Sequence, residues 1–244
     1  MPKLWAKGDS KAHQYACEQL STTGFSILQT PDKTVDGVLL DVPSFREADS
    51  GDTIWEMLPD SAVVIGGNLS GKAPAQFQCI DLLHDPEYTA RNADITARCA
   101  LRLAAGHLKQ TYRGLPVLIL GWGRIGKCLA RLLRGLDAEV CVFARKPADR
   151  AMLKGLGYDV IAEADLASAL SGFSLVFNTA PSLLLSREMT ARCPDTLLID
   201  LASQPGMQGA DVLWARGLPG KMVPESSGKL IAETVLRLWK ENGF

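Results

Sequence analysis

Three glycines, Gly121, Gly123 and Gly126, stand in the spacing G-x-G-x-x-G, with Trp122, Arg124 and Ile125 between them. Each has a use in gripping a diphosphate. Gly121 permits a tight turn, Gly123 lets the backbone approach a pyrophosphate with no Cβ in the way, and Gly126 lets the following helix pack closely on the preceding strand. A helix starting there offers free N–H groups and partial positive charge to the phosphates. The competing reading is a glycine-rich structural turn, and context decides between them.

About 20 residues beyond such a loop, a site for NAD usually carries an Asp or Glu that accepts from the ribose hydroxyls. Here that position is Ala144, followed by Arg145 and Lys146, with Arg150 close behind. A carboxylate would repel a 2′-phosphate, whereas a guanidinium grips one bidentately. The pattern favours NADP over NAD; a solvated cationic loop is the plainer alternative. Three further segments could reach the same crevice. They are Asn178-Thr179-Ala180-Pro181, the run from Asp200 through Leu201, Ala202 and Ser203 to Gly206, and Gly217-Leu218-Pro219-Gly220-Lys221. Ligand contact and turn chemistry are both open for these segments.

The elements that would position these residues are legible around them. Leu115 to Leu120 is a short apolar run suited to a strand buried on both faces. Ile125, Leu129, Leu132, Leu133 and Leu136 then recur at helical spacing, and Glu139 to Ala144 reads as a second strand. Strand, glycine turn, helix and strand make a βαβ unit. Strands at Tyr158–Ile161, Ser174–Thr179 and Thr196–Leu201 alternate with helices at Glu163–Leu170 and Ser186–Arg192. This alternation predicts an α/β fold, a doubly wound parallel sheet of Rossmann type.

Residues 1–88 read as a second, smaller α/β domain. Lys11–Leu20 is its helix, capped by Ser10, and Phe25–Leu28, Val38–Leu40 and Ala62–Ile65 are strand-like. A linking helix is expected over 89–110 and the dinucleotide-binding domain over 111–225. The last helix, within 226–244, presents Leu230, Ile231, Val235, Leu238 and Trp239 on one face and is free to pack on the first domain.

Composition closes off other classes. Lys plus Arg (26) and Asp plus Glu (27) nearly cancel, so no global field recruits nucleic acid or an anionic membrane. Apolar runs fall far short of the roughly 18–20 residues that span a bilayer, and Met1–Trp5 lacks a secretory signal's apolar core. A cytoplasmic protein is expected. The six cysteines are scattered without C-x-x-C, which speaks for buried thiols and no metal site. The chain has three histidines, His13, His84 and His107. None falls in the strand-end loops of the nucleotide domain, where a hydroxy-acid dehydrogenase wants its acid/base. His107 reads as structural; His84, before Asp85-Pro86, is open to facing the interdomain cleft, with a plain surface position the simpler reading. No catalytic residue is assigned.

An ordered set of motifs carries a resemblance. It runs Arg91-Asn92-Ala93 with Thr96-Ala97, Leu120 to Gly126, Ala144-Arg145, Phe177 to Pro181, Ile199 to Ser203 with Pro205-Gly206, Gly217 to Lys221, Pro224, and Gly228 to Ala232. In the first part, Gly8-Asp9 with Gln14-Tyr15 and Leu20 looks like the opening helix. The set resembles the family of dipicolinate synthase A subunits, most strongly from Tyr88 onward. Two departures stand out: the chain is shorter in its N-terminal part, and Arg98-Cys99 stand where the family tends to have Glu-Gly.

The resemblance implies an NADP-linked oxidation of a dihydrodipicolinate or hydroxytetrahydrodipicolinate precursor to dipicolinic acid during sporulation. The mother cell of a spore former would be the setting. It implies a flavoprotein-like partner, the B subunit of dipicolinate synthase, and a homo-oligomer. The substrate is then a small ring with two carboxylates, for which Asn92, Thr96, Ser203 and Lys221 are the candidate contacts, with Arg91 or Arg98 as further cations. Aromatisation drives itself after hydride loss, so a strong base is dispensable. Two other functions keep the same fold: an NADP-dependent dehydrogenase of hydroxy-acid or shikimate type, and a non-catalytic nucleotide-binding subunit.

Overall fold

The structure, a computed structural model, describes residues 1–45 and 52–244. They divide into two compact units, one of residues 1–92 with 219–244 and one of residues 93–218. In the first unit the chain runs β1 (Lys3–Lys7), α1 (Lys11–Thr22), β2 (Ser26–Leu28), β3 (Gly37–Leu40), α2 (Asp52–Trp55), β4 (Val63–Gly66) and β5 (Gln78–Asp81). The sheet order is β2-β1-β3-β4-β5, every pair parallel. Ser10 caps α1 by accepting from His13 N at 3.1 Å. Trp5, Val38, Leu40, Val64 and Phe77 share an apolar cluster in this unit.

Helix α3 (Pro86–Ala105) carries the chain onward. It starts at Pro86 because Asp85 accepts from Tyr88 N at 2.7 Å and proline suits the first helical position. His107 therefore lies past the helix end, exposed.

The second unit holds β6 (Pro116–Leu120), α4 (Arg124–Arg134), β7 (Glu139–Phe143), α5 (Pro147–Gly155) and β8 (Asp159–Ile161). It continues with α6 (Leu166–Ala169), β9 (Leu175–Asn178), α7 (Arg187–Thr190), β10 (Leu197–Asp200) and β11 (Val212–Trp214). The six strands are ordered β11-β10-β9-β6-β7-β8 and all pair in parallel. Strand β6 comes first in the chain and sits centrally. Right-handed crossovers to either side of it therefore put helices on both faces, the doubly wound arrangement expected from the sequence. Leu118, Leu120, Phe143, Val176 and Leu198 form the core on one side of this sheet.

Helices α8 (Leu218–Met222) and α9 (Pro224–Glu241) end the chain. Gly217-Leu218-Pro219-Gly220-Lys221, for which the sequence left turn chemistry and ligand contact both open, is a helical turn from Leu218 on; Gly217 before it takes a φ of +71°. The last helix begins at Pro224, two residues ahead of the expected stretch 226–244, since Pro224 occupies its first turn. Within the first unit α9 lies against α1, and Gly228 makes that approach possible. A Cβ on Gly228 would stand 2.5 Å from Ala12 O and 2.5 Å from Tyr15 Cβ. Among the described residues no helix is long and apolar enough to cross a membrane.

Candidate functional site

In an open parallel sheet, ligands bind beyond the carboxyl ends of the strands where the winding reverses. Here the reversal lies between β6 and β9, whose last residues Leu120 and Asn178 are in register. The loop after β6 is Gly121 to Gly123, and the loop after β9 is Thr179 to Pro181.

Gly121 holds a φ of +107°, and a Cβ there would lie 2.7 Å from Thr179 Oγ1. Gly126 is tighter, since its Cβ would meet Gly121 O at 2.3 Å. These two glycines bring helix, loop and strand together. Gly123 differs, because a Cβ there meets nothing within 4 Å. It caps α4 with no side chain, so the first N–H groups of that helix have no side-chain acceptor. A dinucleotide's diphosphate fits this opening: bare backbone, a helix start and space in front of it. Arg124 is exposed and Ile125 half-buried beside it.

Thr179 ties the two loops together. Its N–H donates to Leu120 O at 2.8 Å, and its hydroxyl donates to the same carbonyl at 3.0 Å. Asn178, a candidate contact by sequence, is fully buried and serves internally instead. Its Nδ2 donates to Ala180 O at 3.1 Å and to Asp200 Oδ1 at 2.8 Å, and its Oδ1 accepts from Ala180 N at 3.1 Å. Asp200 is equally buried and accepts four bonds. They come from Asn178 and Ala202 N (3.0 Å) on Oδ1, and from Gly206 N (2.7 Å) and Met207 N (3.0 Å) on Oδ2. This pair shapes the loops that carry Ala180, Pro181, Leu201, Ala202 and Ser203. Of these, Leu201 and Ala202 are buried while Pro181 and Ser203 are exposed. Ser182 Oγ, in the same loop set, is buried with no hydrogen-bond partner.

At the end of β7, Ala144 is buried and Arg145 and Lys146 are exposed. Arg150, counted from sequence among the phosphate-facing cations, braces this loop. Its Nη1 donates to Ala144 O at 3.1 Å and also to Arg145 O. Trp122 leans edge-on against Tyr158, ring centroids 5.7 Å apart, with Lys127 Nζ 5.8 Å from its own centroid.

The substrate candidates fall in both units: Asn92 and Lys221 in the first, Thr96 and Ser203 in the second. Thr96 is buried, Asn92 half-buried, and Lys221 and Ser203 exposed. The two arginines are occupied within their own units. Arg91 pairs with Glu233 and lies 3.6 Å from Glu87. Arg98 Nε lies 2.7 Å from Asp94, which also meets Arg131 at 3.1 Å. Both partners stand four residues before their arginine (Glu87 and Asp94), a helical ion-pair signal visible in the sequence. His84 is exposed, 3.6 Å from Asp81, and His13 is buried with Nε2 2.9 Å from Leu39 O. Among the described residues no group of three or more His, Cys, Asp or Glu is arranged to hold a metal.

No family model matches the chain. The A subunit of dipicolinate synthase from Bacillus subtilis is 29% identical over 229 residues, spanning 88% of this chain and 77% of that protein. The crystal structure of the corresponding A subunit from Bacillus halodurans superposes with a TM-score of 0.83 at 24% identity, over 97% of both chains. A transhydrogenase from Sinorhizobium meliloti follows the same course with a TM-score of 0.74 at 17% identity, over 98% of this chain and 94% of that one. In sequence and in fold, this chain resembles the A subunit of dipicolinate synthase.

Proposed function

We propose that the chain is the nucleotide-binding, oxidising subunit of a dipicolinate-forming enzyme that uses NADP. The observation that carries this reading is the uncapped start of α4 behind Gly123, set in a chain that resembles the A subunit of dipicolinate synthase nearly end to end. A nicotinamide nucleotide supplies a hydride acceptor when bound. The chain's own residues do the rest. The N–H groups at the start of α4 hold the diphosphate, and Gly121 and Gly126 keep that helix close. Arg145 and Lys146 grip a 2′-phosphate, and the absence of a carboxylate at Ala144 removes the repulsion. Asn178, Thr179 and Asp200 fix the loops at the reacting end.

The substrate of this reading is a small ring with two carboxylates. Asn92, Thr96, Ser203 and Lys221 are carried over from the resemblance as its candidate contacts. Arg91 and Arg98 are held by Glu233, Glu87 and Asp94, so they take no part. Loss of a hydride and a proton from a dihydropyridine ring gives an aromatic product, so no strong base is needed. The B subunit of dipicolinate synthase as partner, a homo-oligomer and a cytoplasmic setting in a sporulating cell complete the proposal.

The test follows dipicolinate absorbance when an enzymatically generated dihydrodipicolinate precursor and NADP⁺ meet the protein, with and without its partner. Product coupled to NADPH formation, slower with NAD⁺, supports the reading. Tight NADPH binding without product in the presence of a folded partner refutes it in favour of another dehydrogenase substrate or a silent subunit.

A further inference from the structure

The carboxyl edge of the second sheet ends on an aromatic side chain that neither the motifs nor the fold account for. Pairing places Leu120, Asn178, Asp200 and Trp214 in one row across β6, β9, β10 and β11. At about 4.8 Å per strand, Trp214 stands one strand beyond the loops that close the nucleotide site. Of the chain's five tryptophans, Trp5 and Trp239 are buried, Trp55 packs on Phe77 and Trp122 on Tyr158. Trp214 is 50% exposed. It is nonetheless anchored. Its Nε1 donates to Ala202 O at 3.1 Å, and the next residue, Ala215, donates to Asp200 O at 2.7 Å. A large flat ring held by its polar edge to the loop of Ala202 and Ser203, and left open to solvent, is what a stacking partner requires.

We propose that Trp214 is a stacking platform for a planar six-membered nitrogen ring at the reacting end of the site, either the nicotinamide ring or the pyridine-type ring of the substrate. The inference rests on the dinucleotide reading above. Fixing the indole beforehand removes the ordering cost of a mobile side chain and leaves its π face for a ring. Leu183, in the loop that follows β9, is likewise exposed and adds apolar surface to the same edge of the sheet.

Three ligands test this by equilibrium binding to the full chain: NADPH, pyridine-2,6-dicarboxylate in the presence of saturating 2′-phospho-ADP-ribose, and 2′-phospho-ADP-ribose alone, which lacks the ring. Trp214→Ala is expected to weaken at least one ring-bearing ligand about three- to tenfold, the scale of one aromatic pair, with 2′-phospho-ADP-ribose affinity unchanged. Trp214→Phe, which keeps a ring without the N–H, is expected to retain most of the affinity. Loss confined to NADPH assigns the nicotinamide ring, and loss confined to the dicarboxylate assigns the substrate. Unchanged binding of both ring ligands overturns the platform, as does equal loss of all three, which marks a structural support of the Ala202 loop. A change in oligomeric state with ligand affinities intact overturns it in favour of a contact between copies of the chain. If the native protein does not bind 2′-phospho-ADP-ribose at all, the dinucleotide reading itself falls and the platform falls with it.

Discussion

Asp200→Asn is the sharpest test of how the site is held. The carboxylate is fully buried, and among the described residues its partners are four N–H donors: Asn178 Nδ2, Ala202 N, Gly206 N and Met207 N. An amide of the same shape has one acceptor oxygen and, in place of the other, an NH₂ that only donates. Whichever way it is turned, its NH₂ must face two donors, either Asn178 and Ala202 or Gly206 and Met207. Two bonds are lost and two donor–donor contacts appear in their place. Bonds to a charged group contribute about 1.5–3 kcal/mol each, so the gross loss is about 3–6 kcal/mol. Relief of the buried charge offsets part of it, leaving an expected net cost of about 2–4 kcal/mol. That is a large share of the roughly 5–15 kcal/mol that stabilises a domain. Urea unfolding followed by tryptophan fluorescence should show a lower midpoint at unchanged slope, together with weaker NADPH binding as the loops of Ala180 and Ser203 shift. A destabilisation under about 1 kcal/mol with NADPH affinity intact would refute the claim that this carboxylate organises both loops.

Gly228→Ala should destabilise the first unit by about 1–3 kcal/mol in thermal or urea melts, because its Cβ would stand 2.5 Å from Ala12 O; a gain from helix propensity alone would contradict this. Arg145→Ala should weaken NADP(H) about 10- to 100-fold while NAD(H) changes little, the loss of one bidentate charge-assisted contact. An unchanged ratio of the two affinities would remove Arg145 from the 2′-phosphate. The alkaline limit of stability should carry the mark of two thiols. Desolvation holds Cys17 and Cys141 up at about 11, from an ordinary value of 9.0, with Asp41 and Asp159 respectively pushing the same way. The unfolded chain therefore releases these protons first. Stability is unaffected below about pH 9 and falls between about pH 9 and 11. Urea midpoints at pH 8 and 10.5 should separate less in a Cys17→Ala, Cys141→Ala variant than in the native protein.

The parts of the fold that were readable share a property: their signal is local. Val117 to Leu120, the glycine spacing and the helical recurrence of Leu129 and Leu133 are contained in one short window, and β6 and α4 appear where that window places them. Strand β1 has lysines at both ends, and β5 is half exposed with Gln78 and Asp81 at its ends, so neither shows the apolar run of a buried strand. β11 is three partly exposed residues whose existence depends on pairing with β10. At the candidate site, the glycine turn was legible by spacing, and Arg145 stands exposed just past β7, where its distance from that turn puts it. The role of Asn178 was not legible, because its partner Asp200 lies 22 residues away and only the fold joins them. The ion pairs of Arg91 and Arg98 were within reach, since Glu87 and Asp94 each precede them by one helical turn. No pattern in the sequence marks Trp214, whose significance comes from its place at the edge of the sheet.

The brace from Arg150 to the carbonyls of Ala144 and Arg145 has an evolutionary reach. Because the loop's path is fixed from outside by a guanidinium six residues from Ala144, its shape does not depend on which side chain stands at position 145. Both acceptors are backbone carbonyls, so a substitution at position 145 removes neither of them. Under the proposed function, a change of coenzyme preference then asks for new side chains on this loop and not for a new backbone path.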